Sequence, residues 1–193
     1  MSSEARLPLL SPEQARQTAS QAGVPAALAE LNVFRVLLHH PRLARWLSEL
    51  LLGLLGQGEL DPRLRELMIM RVGWVTRSDY EWSQHWRIAQ RVGLSERDLL
   101  GVRDWERHDA FGPAERSVLA LVDEVIGTGA VTDLTWAACR EHVAGDPRIL
   151  LELLAVVGLW QMVSAHLRSL GVPLDDGLGS WPPDGVGPAE PPG

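Results

Sequence analysis

In this 193-residue chain, Glu81 and His85 stand four residues apart, a spacing that puts both side chains on one face of a helix. Ser78 lies one turn earlier, and Glu66 belongs to the preceding apolar stretch, where a tight helix pair would bring it toward the other two. A histidine titrates near neutrality, and a neighbouring carboxylate can hold its tautomer or exchange a proton with it. Two carboxylates in one partly dry pocket push their pKa values apart, so that one can be acid while the other is base. Such a set moves protons to and from carbon or oxygen without a cofactor. The same three residues also offer a divalent ion a carboxylate-rich site. Against that, the ferritin-like Glu-x-x-His spacing is one residue shorter, and no second such pair is present. On spacing alone, Glu81 and His85 are more simply a helix-surface ion pair worth a few tenths of a kcal/mol.

The neighbouring residues carry double readings too. Ser78 precedes a helix, where serine usually caps. Arg71 is a charge inside an apolar helix, suited equally to a substrate carboxylate or to an acidic partner in the fold. Trp74, Trp82 and Trp86 are most simply core aromatics, yet Trp82 and Trp86 are four apart and either can wall a substrate pocket.

These residues are held by the stretch Leu60–Ser95, whose apolar residues recur at helical spacing in two bursts. Asp61 caps the first burst with Pro62 in its first position, and Gly93 closes the second as a left-handed stop. Thr76–Asp79 is the polar turn between them. Upstream, the spacing predicts a helix opening at Ser11-Pro12 and running to Ala22, one over Ala26–Leu38 and one over Arg42–Leu55. Downstream it predicts helices over Glu96–Val102, from Gly112 to about Ile126, over Leu134–Val143, and from Arg148 to about Leu170. No alternating strand pattern appears, so the class is all-α. Residues 1–174 read as a single domain, and the Pro/Gly-rich 175–193 as a flexible tail, disordered or draped on the surface.

Hydrophobic residues make up 46% of the chain, the proportion of an ordinary globular core. A net charge of -7 argues against nucleic acid as a partner, because phosphate affinity needs clustered cations. The single cysteine, Cys139, allows neither an intrachain disulfide framework nor a cysteine zinc site, and fits a cytoplasmic setting. The longest apolar run, Leu150–Val163, is broken by Glu152 and Gln161, so no membrane span is expected.

Glu66, followed by Ser78-x-x-Glu81-x-x-x-His85-x-x-x-Ala89-x-x-x-Gly93-Leu94-Ser95, resembles the core motif of the carboxymuconolactone decarboxylase and alkylhydroperoxidase D-like superfamily. In the peroxidase branch that motif is a glutamate followed by C-x-x-C-x-x-x-H. Here Ser78 and Glu81 stand at the two cysteine positions, and the Tyr80-Glu81-Trp82-x-x-His85 string is similar to the cysteine-free branch. The resemblance extends from about Leu31 to about Val172 and is specific over Leu60–Ser95. It implies an alkylhydroperoxidase D-like helical fold with a degenerate internal repeat, Glu152-Leu153-Leu154 echoing Glu66-Leu67-Met68. It also implies catalytic roles for Glu66, Glu81 and His85, with Ser78, Arg71, Trp82 and Trp86 toward a small-molecule substrate. No cofactor, no metal and a homo-oligomer (trimer or hexamer) are expected. The chemistry expected is cofactor-independent proton transfer on a small oxygenated organic acid or lactone. A non-catalytic, small-molecule-binding member of the superfamily is the alternative, ahead of a metal-dependent variant. Dithiol peroxide chemistry is not expected without thiols at Ser78 and Glu81.

Overall fold

A computed structural model describes residues 5–189. The described residues are all helical apart from turns and connections, as expected, and group into two compact units. The first unit takes residues up to Gln57 together with His166–Leu178. Its helices are α1 (Pro12–Ala22), α2 (Ala26–Ala29), α3 (Asn32–Leu37) and α4 (Pro41–Gly56). Ser11 and Gln14 form a capping box at the start of α1, each side chain bonding the other's backbone N–H. The helix expected over Ala26–Leu38 is instead two, broken at Glu30-Leu31. The reason is long-range: the backbone N–H of Asn32 donates to Asp175 Oδ1 at 2.6 Å, and its side-chain amide donates to the Leu174 carbonyl at 3.0 Å. Those bonds start α3 afresh at Asn32.

The second unit holds the site. Its residues are Gly58–Ala165 and those from Gly179 onward. It contains α5 (Pro62–Val75), α6 (Asp79–Arg91), α7 (Glu96–Gly101), a 3₁₀ helix (Val102–Arg107), α8 (Pro113–Thr128), α9 (Asp133–His142) and most of α10 (Pro147–Leu170). Helix α5 is central, packing on both α6 and α8, and Leu67, Met68, Ile69, Met70 and Val72 are all buried on it. Four consecutive buried apolar residues, Leu67 to Met70, point to all sides of the helix, so this part of α5 sits inside the core.

In length and composition α10 is the one helix among the described residues that could cross a membrane. Here Leu153, Val156, Val157 and Trp160 are buried on it. Glu152, the residue echoing Glu66 in the repeat, accepts the backbone N–H groups of Glu59 and Leu60. It serves the chain entering α5.

The Pro/Gly-rich segment is draped, through specific contacts. Asp79 accepts from Ser180 Oγ at 2.5 Å and from the Trp181 N–H at 2.8 Å. The Trp82 indole donates to the Pro182 carbonyl at 2.8 Å, and Asp184 takes both ends of the Arg103 guanidinium. Residues 179–187 thus form a strap, with Trp181 edge-on to Trp74 and tilted against Trp82.

Candidate functional site

The turn between α5 and α6 sets the geometry. The Ser78 N–H reaches back to the Gly73 carbonyl at 2.8 Å and the Arg77 N–H to that of Trp74 at 3.1 Å, a Schellman closure. Arg77 holds the left-handed position (φ 59°) that glycine usually fills. The chain therefore reverses tightly and α6 lies back along α5. Gly73 is where they approach: a Cβ there would come within 3.2 Å of the Trp82 nitrogen and 3.3 Å of Glu81 Cβ. This close packing draws Glu66, two turns before Gly73 on α5, toward His85, which lies one turn beyond Glu81 on α6.

Glu66 is 0% exposed, Glu81 5% and His85 6%. The surface ion-pair reading is therefore excluded by burial. Glu66 Oε2 stands 2.7 Å from His85 Nδ1, and Glu81 Oε2 stands 3.7 Å from Nε2, in ion-pair range but too long for a hydrogen bond. A fourth residue completes the set: the Trp160 indole N–H, from α10, reaches His85 Nε2 at 2.9 Å. An indole nitrogen only donates, so Nε2 is the acceptor and carries no proton. Neutral His85 then holds its proton on Nδ1 and donates it to Glu66.

Burial pushes Glu81 up to about 7; His85 opposes that push and the charge of Glu66 adds to it. At neutral pH Glu81 is therefore poised between acid and carboxylate. For His85, burial depresses the pKa, but the charge and hydrogen bond of Glu66 and the charge of Glu81 outweigh it, raising the net value despite Arg65. The Trp160 N–H opposes that rise, since a proton on Nε2 would face a second N–H across 2.9 Å. As the rings stand, the neutral imidazole is the form the geometry holds.

The other expected site residues are placed differently. Arg71 is turned to the fold: Nε and Nη2 bind Asp123 at 2.7 and 2.8 Å, and Nη1 donates to the Val102 and Arg103 carbonyls. Asp123 on α8, 52 residues on, is the acidic partner, and Arg71 is not directed to a substrate carboxylate. Ser78 occupies the N-cap position of α6 but its side chain caps nothing, and its buried Oγ has no hydrogen-bond partner among the described residues. Trp82 and Trp86 are buried 5.8 Å apart in a cluster with Trp74 and Trp181. Arg103 stacks over the rings of Trp74 and Trp82. Sequence reasoning missed Trp160, which sits in the apolar run of α10, where an indole reads as core volume.

Residues 41–124 match the carboxymuconolactone decarboxylase family, a span containing Glu66, Ser78, Glu81 and His85. Over that span the chain is similar to the carboxymuconolactone decarboxylase family. Its fold is similar to that of an uncharacterised peroxidase-related protein with an alkylhydroperoxidase AhpD core from Ralstonia eutropha JMP134. That match has a TM-score of 0.72 at 19% identity, covering 89% of this chain and 93% of the other. The debrominase Bmp8, solved with 2,3,4-tribromopyrrole, gives a TM-score of 0.71 at 14% identity over 91% and 95% of the two chains. A protein from Agrobacterium tumefaciens described as a putative antioxidant defence protein AhpD gives 0.64 at 16% over 70% and 92%. At these identities the structures speak for the fold alone. No curated protein matches the chain by sequence. A lone Cys139 is consistent with the resemblance to a cysteine-free branch; it is buried on α9 with its thiol toward the Ser117 carbonyl at 3.5 Å.

Proposed function

We propose that the protein is a cofactor-independent acid/base enzyme, a lyase or isomerase acting on a small oxygenated organic acid or lactone. The observation that carries this is the buried Glu66–His85–Glu81 array, with one carboxylate 2.7 Å from Nδ1 and the other 3.7 Å from Nε2. Glu66 fixes the imidazole and stabilises it when charged, as a carboxylate behind a histidine does. His85 Nε2 takes a proton from a carbon or oxygen acid, and Glu81 in its acid form returns one to the atom where negative charge has developed. Migration of a double bond needs both transfers; loss of carbon dioxide from an ionised lactone acid leaves the electron pair on carbon and needs only the proton that Glu81 delivers there. The family name supports the lactone acid class. Self-association is part of the reading, as a trimer or hexamer: Leu151, Leu154 and Met162 leave an apolar stripe on α10 exposed. The setting proposed is the cytoplasm.

The test is incubation in D₂O with a panel of carboxylated unsaturated lactones and enolisable keto acids, following deuterium incorporation and carbon dioxide release. At least one substrate should turn over, and His85→Gln should slow it by about 10²–10⁴-fold, the usual contribution of a positioned base. Turnover that survives His85→Gln unchanged would refute the assignment.

A further inference from the structure

A polar contact that α10 makes with His85 falls on the atom proposed to do the chemistry. Trp160 is 1% exposed, its ring stands edge-on to the imidazole, 5.6 Å between centroids, and its indole N–H ends on Nε2. A buried indole needs an acceptor, and here it has taken the lone pair a general base requires. We infer that Trp160 is a positioning residue of the site: it occupies His85 Nε2 at rest, holds the Nδ1–H tautomer, and so makes His85 the base and leaves the exchangeable proton on Glu81. The inference rests on the acid/base reading above and deepens it.

Other contacts cannot do this. Glu81 is 3.7 Å from Nε2 and does not hold it. Glu66 would accept from Nδ1–H in the neutral or the charged imidazole, so it does not discriminate between them. The charged groups acting on His85 are Glu66 and Arg65 from α5 and Glu81 from its own helix. Burial and the Arg65 charge favour a neutral ring without choosing its tautomer; from α10 the neutral indole faces it, and its N–H is the contact that requires Nε2 itself to be unprotonated. Without it, two carboxylates against one imidazole would draw the proton onto Nε2, blunting the base. A substrate that offers a proton to Nε2 takes the place of the indole N–H, so the base is uncovered only as the reacting group arrives.

The experiment uses the full chain with ¹⁵N-labelled histidine and tryptophan and needs no substrate. Wild type should show a pyrrole-type Nδ1, a pyridine-type Nε2, and a nitrogen–nitrogen coupling between Nε2 and the Trp160 indole across the hydrogen bond. Trp160→Phe keeps a ring and deletes the donor; the His85 midpoint should then rise by about one pH unit, a tenfold change, as one hydrogen bond to the neutral form implies. The acid limb of kcat/KM should rise by the same amount, which a merely structural role would not produce. A wild-type Nε2 that is protonated at neutral pH, or a Trp160→Phe titration that does not move, overturns the inference. If Trp160→Phe does not fold, the wild-type coupling decides alone: present it sustains the inference, absent it refutes it. If the coupling is found while His85→Gln keeps full turnover, the acid/base reading fails and the tautomer assignment stands.

Discussion

Replacing Glu81 by glutamine isolates the cost of keeping a carboxyl group in this core. Its folded value of about 7 lies above the ordinary 4.5, so the folded state holds the proton more tightly than the unfolded chain does. Stability must therefore fall as pH rises from 4.5 to about 7, at about 1.4 kcal/mol per pH unit. Above that window the penalty is complete, at about 3 kcal/mol, and below it there is none. Glutamine is similar in shape, carries no titrating proton, and should remove this slope. We expect urea unfolding of wild type and Glu81→Gln at pH 5, 6, 7 and 8 to give curves that diverge as pH rises, the variant gaining relative stability. His85 contributes in the same direction: its raised value favours the folded state below the unfolded pKa, a gain lost as pH passes the folded one. Because Glu81 supports that rise, the variant also lowers it, which adds to the divergence near neutrality. A difference between the two proteins that stays constant from pH 5 to 8 would refute a buried, proton-holding Glu81. The same variant should lose turnover, leaving a more stable protein with no acid.

Two further outcomes separate structural from chemical roles. Arg71→Ala should destabilise the fold by about 3 kcal/mol, because Asp123 and two carbonyls lose a part-buried cation, while KM for any substrate identified stays unchanged. A rise in KM with stability intact would return Arg71 to the substrate. The protein should also reduce no organic hydroperoxide with a dithiol donor, since Cys139 has no resolving partner in its own chain; robust activity lost in Cys139→Ser would overturn that.

The meeting of Glu66, Glu81 and His85 was legible because it is local. Residues four apart on a helix share a face whatever surrounds them, and a short turn leaves the next helix little choice but to pack back. The same logic stopped at Arg71, whose apolar surroundings announce that it needs a partner but cannot say which. Asp123, on a helix of its own, supplied it. Trp160 was invisible for a different reason: in an apolar run an indole reads as volume, and its single N–H acquires meaning only when the histidine arrives from 75 residues away. The capping role expected of Ser78 follows from position, and the position is right, but the Schellman turn carries its side chain inward. The tail was read from proline and glycine, which describe a backbone; Trp181 and Asp184, within the same segment, are what fix it.

That strap bears on how the protein can be cut and handled. The obvious place to end a shortened version is the close of α10, where regular structure stops. Such a cut would strip Trp82 of its carbonyl acceptor, leave Arg103 without its carboxylate, and open one side of the tryptophan cluster to water. It would also free Asp79, the first residue of the helix that carries both Glu81 and His85. A fragment chosen by its helices alone would thus keep every acid and base of the site and lose the brace under them.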